Sequence, residues 1–196
     1  TGRSLIQPMD MSAGKVTNGL LSLPAEFGNL TKLEQLFIAN SKITTLPMEM
    51  ENLISLTDIE VYNCPDMKEF PMALAKLPSL VSANLACNPQ WSAEEALKGL
   101  KGLGTGPSKE KIQFLYYLGN KLEIIPKEIK NMKKIGLLDF TSNNIHTIEE
   151  AWGTDIKPVQ LYLDNNKLTS FPVDENGIFC FMEDAETFSA RNNKLK

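Results

Sequence analysis

Apolar residues recur along the chain in one frame. From Leu33 they stand at Leu33, Leu36, Ile38, Ile43 and Leu46, with Pro47 next and the small polar Ser41 inside the frame. The frame returns as Ile112, Leu115, Tyr117, Asn120, Leu122, Ile125, Pro126, and again as Ile135, Leu138, Phe140, Asn143, Ile145, Ile148. Leu161, Leu163, Asn166, Leu168, Phe171 and Pro172 make a further copy, and Phe188, Ala190, Asn193 and Leu195 a last one. Less regular copies are Leu56, Ile59, Val61, Cys64, Met67, Phe70, Pro71, and Leu80, Ala83, Leu85, Asn88, Trp91, while Asn18, Leu20, Leu23 and Pro24 form a partial first copy. A slot filled by Asn18, Ser41, Cys64, Asn88, Asn120, Asn143, Asn166 and Asn193 therefore recurs at separations of 23, 23, 24, 32, 23, 23 and 27. Periods of this size mark stacked supersecondary units that bury apolar faces against their neighbours.

Within each copy two apolar residues alternate with more polar ones just before the slot, the period of a short strand with one face buried. Copies in the same orientation stack these strands into a parallel sheet, and eight at ~4.8 Å apiece span roughly 35–40 Å. At the slot the chain turns inward and leaves backbone groups that need partners, which an Asn amide supplies as donor and acceptor together. Ser41 and Cys64 are smaller, so the ladder is expected to be weaker at that end. The Pro after the final apolar position fixes φ and opens an outer segment, expected to be short helical or 3₁₀ turns. In the longest interval Ser92 with Glu95 reads as a capping box, and Ala93, Ala96, Leu97, Leu100 and Leu103 follow helical spacing. This predicts a helix outside the regular stack, within an insertion at about 92–109, ended by Gly102, Gly104, Gly106 and Pro107.

At these residues the chain resembles the leucine-rich-repeat family, in its 23-residue form with L-P-x-x-[I/F/M]-x-x-L on the outer side, as in Leu46-Pro47 with Met50 and Leu53. The resemblance covers residues 18–196 and departs from the pattern after Trp91, after Pro172 and over residues 1–17, expected to be an irregular cap or linker. It implies an α/β fold: a right-handed solenoid of about eight repeats, with a curved parallel sheet on the concave face and helical or 3₁₀ segments on the convex face. Irregular copies, an inserted helix and few cysteines resemble bacterial cell-surface members, which implies a surface or secreted location, a cytoplasmic one being the alternative.

Composition narrows the function. Of 196 residues 42% are hydrophobic and 22% charged, and no apolar run reaches the ~20 residues of a membrane span. A net charge of −4 argues against a phosphate-backbone partner, since proteins grip nucleic acid with clustered Lys and Arg. Cys64, Cys87 and Cys180 are an odd count without zinc spacing, read as buried thiols. His146 is the only histidine and has no nucleophile or acid at motif spacing. Gly102 to Lys109 lacks the order of a phosphate loop and follows a helix instead of opening one. The adjacent pairs Glu94–Glu95 and Glu149–Glu150 read as solvated charge. No catalytic site, cofactor or metal is expected.

Residues alternating with the strand leucines face the concave side: Gln35, Phe37, Ala39; Asp58, Glu60, Tyr62; Ser82, Asn84, Ala86; Phe114, Tyr116, Leu118; Leu137, Asp139, Thr141; Gln160, Tyr162, Asp164; Thr187, Ser189, Arg191. Large side chains concentrate at Phe37, Tyr62, Phe114, Tyr116, Leu118 and Tyr162, with acids at Asp58, Glu60, Asp139 and Asp164. Exposed aromatics on a rigid sheet have no packing role there and are typical interface anchors. The expectation is a monomeric, non-catalytic module binding a protein or peptide through Phe37, Glu60, Tyr62, Phe114, Tyr116, Leu118, Asp139, Tyr162 and Asp164. Glycan recognition, and targeting within a longer enzyme, are the alternatives.

Overall fold

The structure is a computed structural model that describes residues 18–149, 156–173 and 185–196. Residues 1–17, expected to form a cap, lie outside the described residues, as do Cys180 and Glu150.

Each complete copy of the frame forms one strand: β1 (Gln35–Ala39), β2 (Asp58–Tyr62), β3 (Ser82–Asn84), β4 (Phe114–Tyr116), β6 (Leu137–Asp139), β8 (Gln160–Tyr162) and β9 (Thr187–Ser189). They pair in chain order, all parallel, as a seven-stranded sheet. The partial first copy adds only a parallel bridge between Asn18 and Ser41, not an eighth strand. A second sheet, not anticipated, pairs β5 (Ile124–Ile125) with β7 (Thr147–Ile148). The inward residues Ile38, Val61, Leu85, Leu115, Leu138 and Leu161 join one continuous buried core. No repeat closes this core alone; each is covered by its neighbours.

The ladder forms as its chemistry requires. Each slot Asn from Asn88 onward donates through Nδ2 to carbonyls of its own and the preceding repeat and accepts backbone N–H groups through Oδ1. Asn143 donates to Phe140 O (2.9 Å) and Tyr117 O (3.0 Å) and accepts from the N–H groups of Asn120 and Leu122, both at 3.0 Å. Asn166 donates to Phe140 O at 3.0 Å and accepts from Ile145 N at 2.9 Å. At the thinner end Ser41 makes one donor and one acceptor contact, and Cys64 Sγ reaches Tyr62 O only at 3.6 Å. The residue before each slot from Ser41 onward adopts a left-handed conformation: Asn40, Asn63, Cys87, Gly119, Ser142, Asn165 and Asn192 have φ between 50° and 70°. This turn brings the chain inward from the strand to the slot. Asparagines here form a second, shallower ladder, with Asn63 donating to Asn40 (2.6 Å) and Asn192 to Asn165 (2.8 Å).

Pro24, Pro47, Pro71 and Pro126 each precede a 3₁₀ turn, at Ala25–Asn29, Met48–Asn52, Met72–Lys76 and Lys127–Asn131. The inserted segment forms α1 (Ala93–Thr105), with the Ser92 hydroxyl accepting from Glu95 N at 3.1 Å. The helix does not lie outside the stack: it packs against the 3₁₀ turns on both sides, Met72–Lys76 and Lys127–Asn131, filling the convex row at its own repeat. Nor do Gly102 and Gly104 end it, since the helix runs through both. They let it approach: a Cβ on Gly104 would meet Glu128 O at 2.7 Å, and one on Gly106 would strike Ala75 O. Beneath α1 a chain of aromatic contacts runs Phe70–Trp91–Tyr117–Phe140, with centroids 5.3, 6.0 and 6.5 Å apart. The Tyr117 hydroxyl donates to Ala96 O at 2.7 Å, which ties helix to core.

Candidate functional site

Parallel pairing aligns concave side chains into rows. The register joins Phe37, Glu60, Asn84, Tyr116, Asp139, Tyr162 and Ser189 in one row, each the partner of the next. Tyr116 and Tyr162 are thus two strands apart with Asp139 between them. A second row holds Gln35, Asp58, Ser82, Phe114, Leu137, Gln160 and Thr187. Tyr62 pairs with Ala39 and stands outside the row of the other two tyrosines.

Burial separates these residues further. Phe37 is 58% exposed, and Glu60, Tyr62, Phe114, Tyr116, Asp139, Tyr162 and Asp164 are half-buried. Leu118 departs from the expectation: at 2% exposure it offers no contact surface. It occupies the strand end where the chain turns inward at Gly119, and Ala86 at the equivalent position is buried too. The α1 helix packs against the 3₁₀ turns Met72–Lys76 and Lys127–Asn131 instead of against this strand. Leu137 and Asn84 are likewise buried, so the concave face is closed at its centre and open at the Tyr and acid positions.

The central row is electrostatically strained. Burial raises the Tyr116 phenol to about 12, and the charges of Asp139, Tyr162 and Glu60 add to this. Burial also raises the carboxyl of Glu60. The Asp139 carboxyl is raised by burial and by Asp164, against two opposing hydrogen bonds from Thr141. One of these runs from Thr141 N to Asp139 Oδ1 at 2.9 Å. Asp164 is more fully engaged, accepting from Ser189 Oγ and Arg191 N, each at 2.6 Å.

The other candidate chemistry is absorbed by structure. His146 is exposed, its Nδ1 2.9 Å from Thr147 Oγ1. Glu95 accepts from Phe70 N at 2.9 Å and pairs with Lys98 at 3.1 Å, and Glu149 accepts from Lys127 N at 3.1 Å. The Ser108 hydroxyl accepts from Leu80 N at 2.9 Å and donates to Leu77 O, bracing the turn into β3. Among the described residues no group of three or more His, Cys, Asp or Glu could hold a metal ion, and no helix is long and apolar enough to cross a membrane.

No family model matches the chain. Solved structures do. A leucine-rich-repeat protein from Bacteroides thetaiotaomicron is 33% identical with a TM-score of 0.80, over 98% of this chain and 25% of that one. One from Bacteroides eggerthii is 31% identical with a TM-score of 0.81, over 100% of this chain and 35% of that one. The chain is a leucine-rich-repeat protein. Its repeats span only 25% and 35% of the length of those two Bacteroides proteins. The repeat fold is shared more widely: the Arabidopsis receptor kinase HAESA, solved with a peptide hormone and a co-receptor, superposes with a TM-score of 0.68 at 22% identity, over 89% of this chain and 28% of that one.

Proposed function

We propose that this leucine-rich-repeat array is a non-catalytic recognition module that binds a protein or peptide ligand along its concave sheet. The observation that carries the reading is the central row, in which Phe37, Glu60, Tyr116, Asp139 and Tyr162 are held in one register with their side chains partly or largely open to solvent. Tyr brings a large contact area at low entropic cost, and a rigid sheet fixes its position before the ligand arrives. The peptide-bound receptor kinase, a fold neighbour, supports the class of ligand. Exposed side chains in this row contribute little to the solenoid core, so selection for folding alone gives no reason for them.

The test replaces Tyr116 and Tyr162 with Ala, checks the melting temperature, and measures affinity for a partner isolated with the wild-type chain. A well-buried interface Tyr contributes about 2 kcal/mol or more, so binding is expected to weaken at least ~30-fold. Unchanged affinity in the folded double variant, with loss on substitution in α1, would move recognition to the convex side. A partner that proves to be an oligosaccharide would keep the face but replace the ligand class.

A further inference from the structure

We propose that the Tyr116–Asp139–Tyr162 triplet is a pocket for a cationic side chain, an Arg or Lys of a peptide ligand, with Glu60 as a second, weaker anchor on the same row. This rests on the concave-face reading and names the chemistry the face selects. Three observations lead to it.

The first is spacing. Adjacent strands lie ~4.8 Å apart, so Tyr116 and Tyr162, on either side of Asp139, are about 9.6 Å apart at the backbone. A cationic group entering midway lies about 5 Å from each side, inside the roughly 6 Å reach of attraction between a cation and an aromatic face. The carboxylate between the rings supplies the counter-charge.

The second is that the Asp139 charge is not needed for folding. Its Oδ1 secures the strand end by accepting from Thr141 N. At the equivalent position of an earlier repeat, Asn84 Oδ1 makes the same contact, from Ala86 N at 3.3 Å. A neutral amide therefore does the structural work. Asp139 adds a second hydrogen bond, from the Thr141 side chain, and a negative charge, half-buried between two tyrosines, that no neighbouring cation offsets.

The third is that, among the described residues, none of the groups acting on Asp139 or Tyr116 is a cation. The groups acting on Asp139 are Thr141 and Asp164, and neither is a cation. Those acting on Tyr116 are Asp139, Tyr162 and Glu60, all of them anionic when ionised. The row places negative potential and aromatic side chains together, the complement of an alkyl chain ending in a positive charge.

The experiment selects binders from a display library of random twelve-residue peptides against the whole chain. Enriched peptides are then measured against wild type, Asp139→Asn and Tyr162→Ala, with Arg replaced by citrulline and Lys by norleucine. The inference expects an Arg or Lys shared by the enriched peptides. Affinity should drop at least tenfold on neutralising that residue, and similarly for Asp139→Asn, with little further drop when both changes are combined. Peptides that lose binding to Tyr162→Ala yet tolerate citrulline, norleucine and Asp139→Asn would overturn the cation pocket and leave concave recognition standing. No enriched peptide, or only peptides indifferent to Tyr162→Ala, would overturn both.

Discussion

Replacing Asn143 by Ala isolates what one rung of the ladder contributes. Its amide donates to Tyr117 O and Phe140 O, and those carbonyls keep other donors in the variant, since Asn120 Nδ2 reaches Tyr117 O at 3.2 Å and Asn166 Nδ2 reaches Phe140 O at 3.0 Å. The acceptor side has no such reserve. The N–H groups of Asn120 and Leu122, within two residues fully buried, both depend on Asn143 Oδ1. Two orphaned buried donors at about 1–3 kcal/mol each, offset in part by water entering the space the amide leaves, give an expected loss of about 2–4 kcal/mol. At 2–4 °C per kcal/mol for a chain of this size, the melting midpoint should drop by roughly 4–16 °C. Asn193→Ala is the internal control. Among the described residues Asn193 serves a single N–H, that of Leu168, and is only part-buried, so its loss should be about 1 kcal/mol. Urea titration with both midpoint and slope recorded measures the two. Equal losses, or an Asn143→Ala loss below about 0.5 kcal/mol, would refute the claim that the slot satisfies buried backbone.

Three further expectations follow from packing and charge. Gly106→Ala should destabilise by about 1–3 kcal/mol, because the added methyl strikes the Ala75 carbonyl, while Gly19→Ala, with nothing within 4 Å, should not destabilise; equal thermal melts would refute the close approach of α1. Asp139→Asn should raise the melting temperature at pH 7: a carboxyl raised by burial favours the fold when protonated and loses that contribution as pH rises through its shifted value. The gain over wild type should therefore shrink as pH falls through that raised value and vanish in acid, and a gain that grows with acid would contradict the assignment. Cys64, its thiol pushed up to about 11 by burial, should resist alkylation by iodoacetamide at pH 7.5 in the folded protein and react on unfolding, as followed by mass spectrometry.

What the sequence disclosed and what it hid divide along physical lines. The slot asparagines, the strands and the proline-led 3₁₀ turns were readable because each follows from a local rule of period, backbone satisfaction or fixed φ. Ser92 and Glu95 announced the helix in the same way, through capping. Its position was not readable, because packing onto Met72–Lys76 and Lys127–Asn131 depends on glycines whose use as approach surfaces shows only once two segments meet. The left-handed residue before each slot escaped notice because Cys87 and Ser142 adopt it alongside the asparagines, under tertiary constraint and against their own preference. Leu118 was misread for a related reason. Alternation says which side of the sheet a residue faces, but the inward turn at Gly119 decides whether that side is open there. The alignment of Tyr116, Asp139 and Tyr162 in one row was implicit in the equal 23-residue spacing of their repeats.

Site-specific photo-crosslinking separates recognition on the concave sheet from recognition on α1. Benzoylphenylalanine placed at Tyr162 on the sheet, and separately at Lys101 on α1, is irradiated with the isolated partner, and adducts are mapped by mass spectrometry. Ligand binding along the sheet predicts adducts from position 162 and none above background from position 101. Adducts from 101 alone would contradict it and assign recognition to the inserted helix.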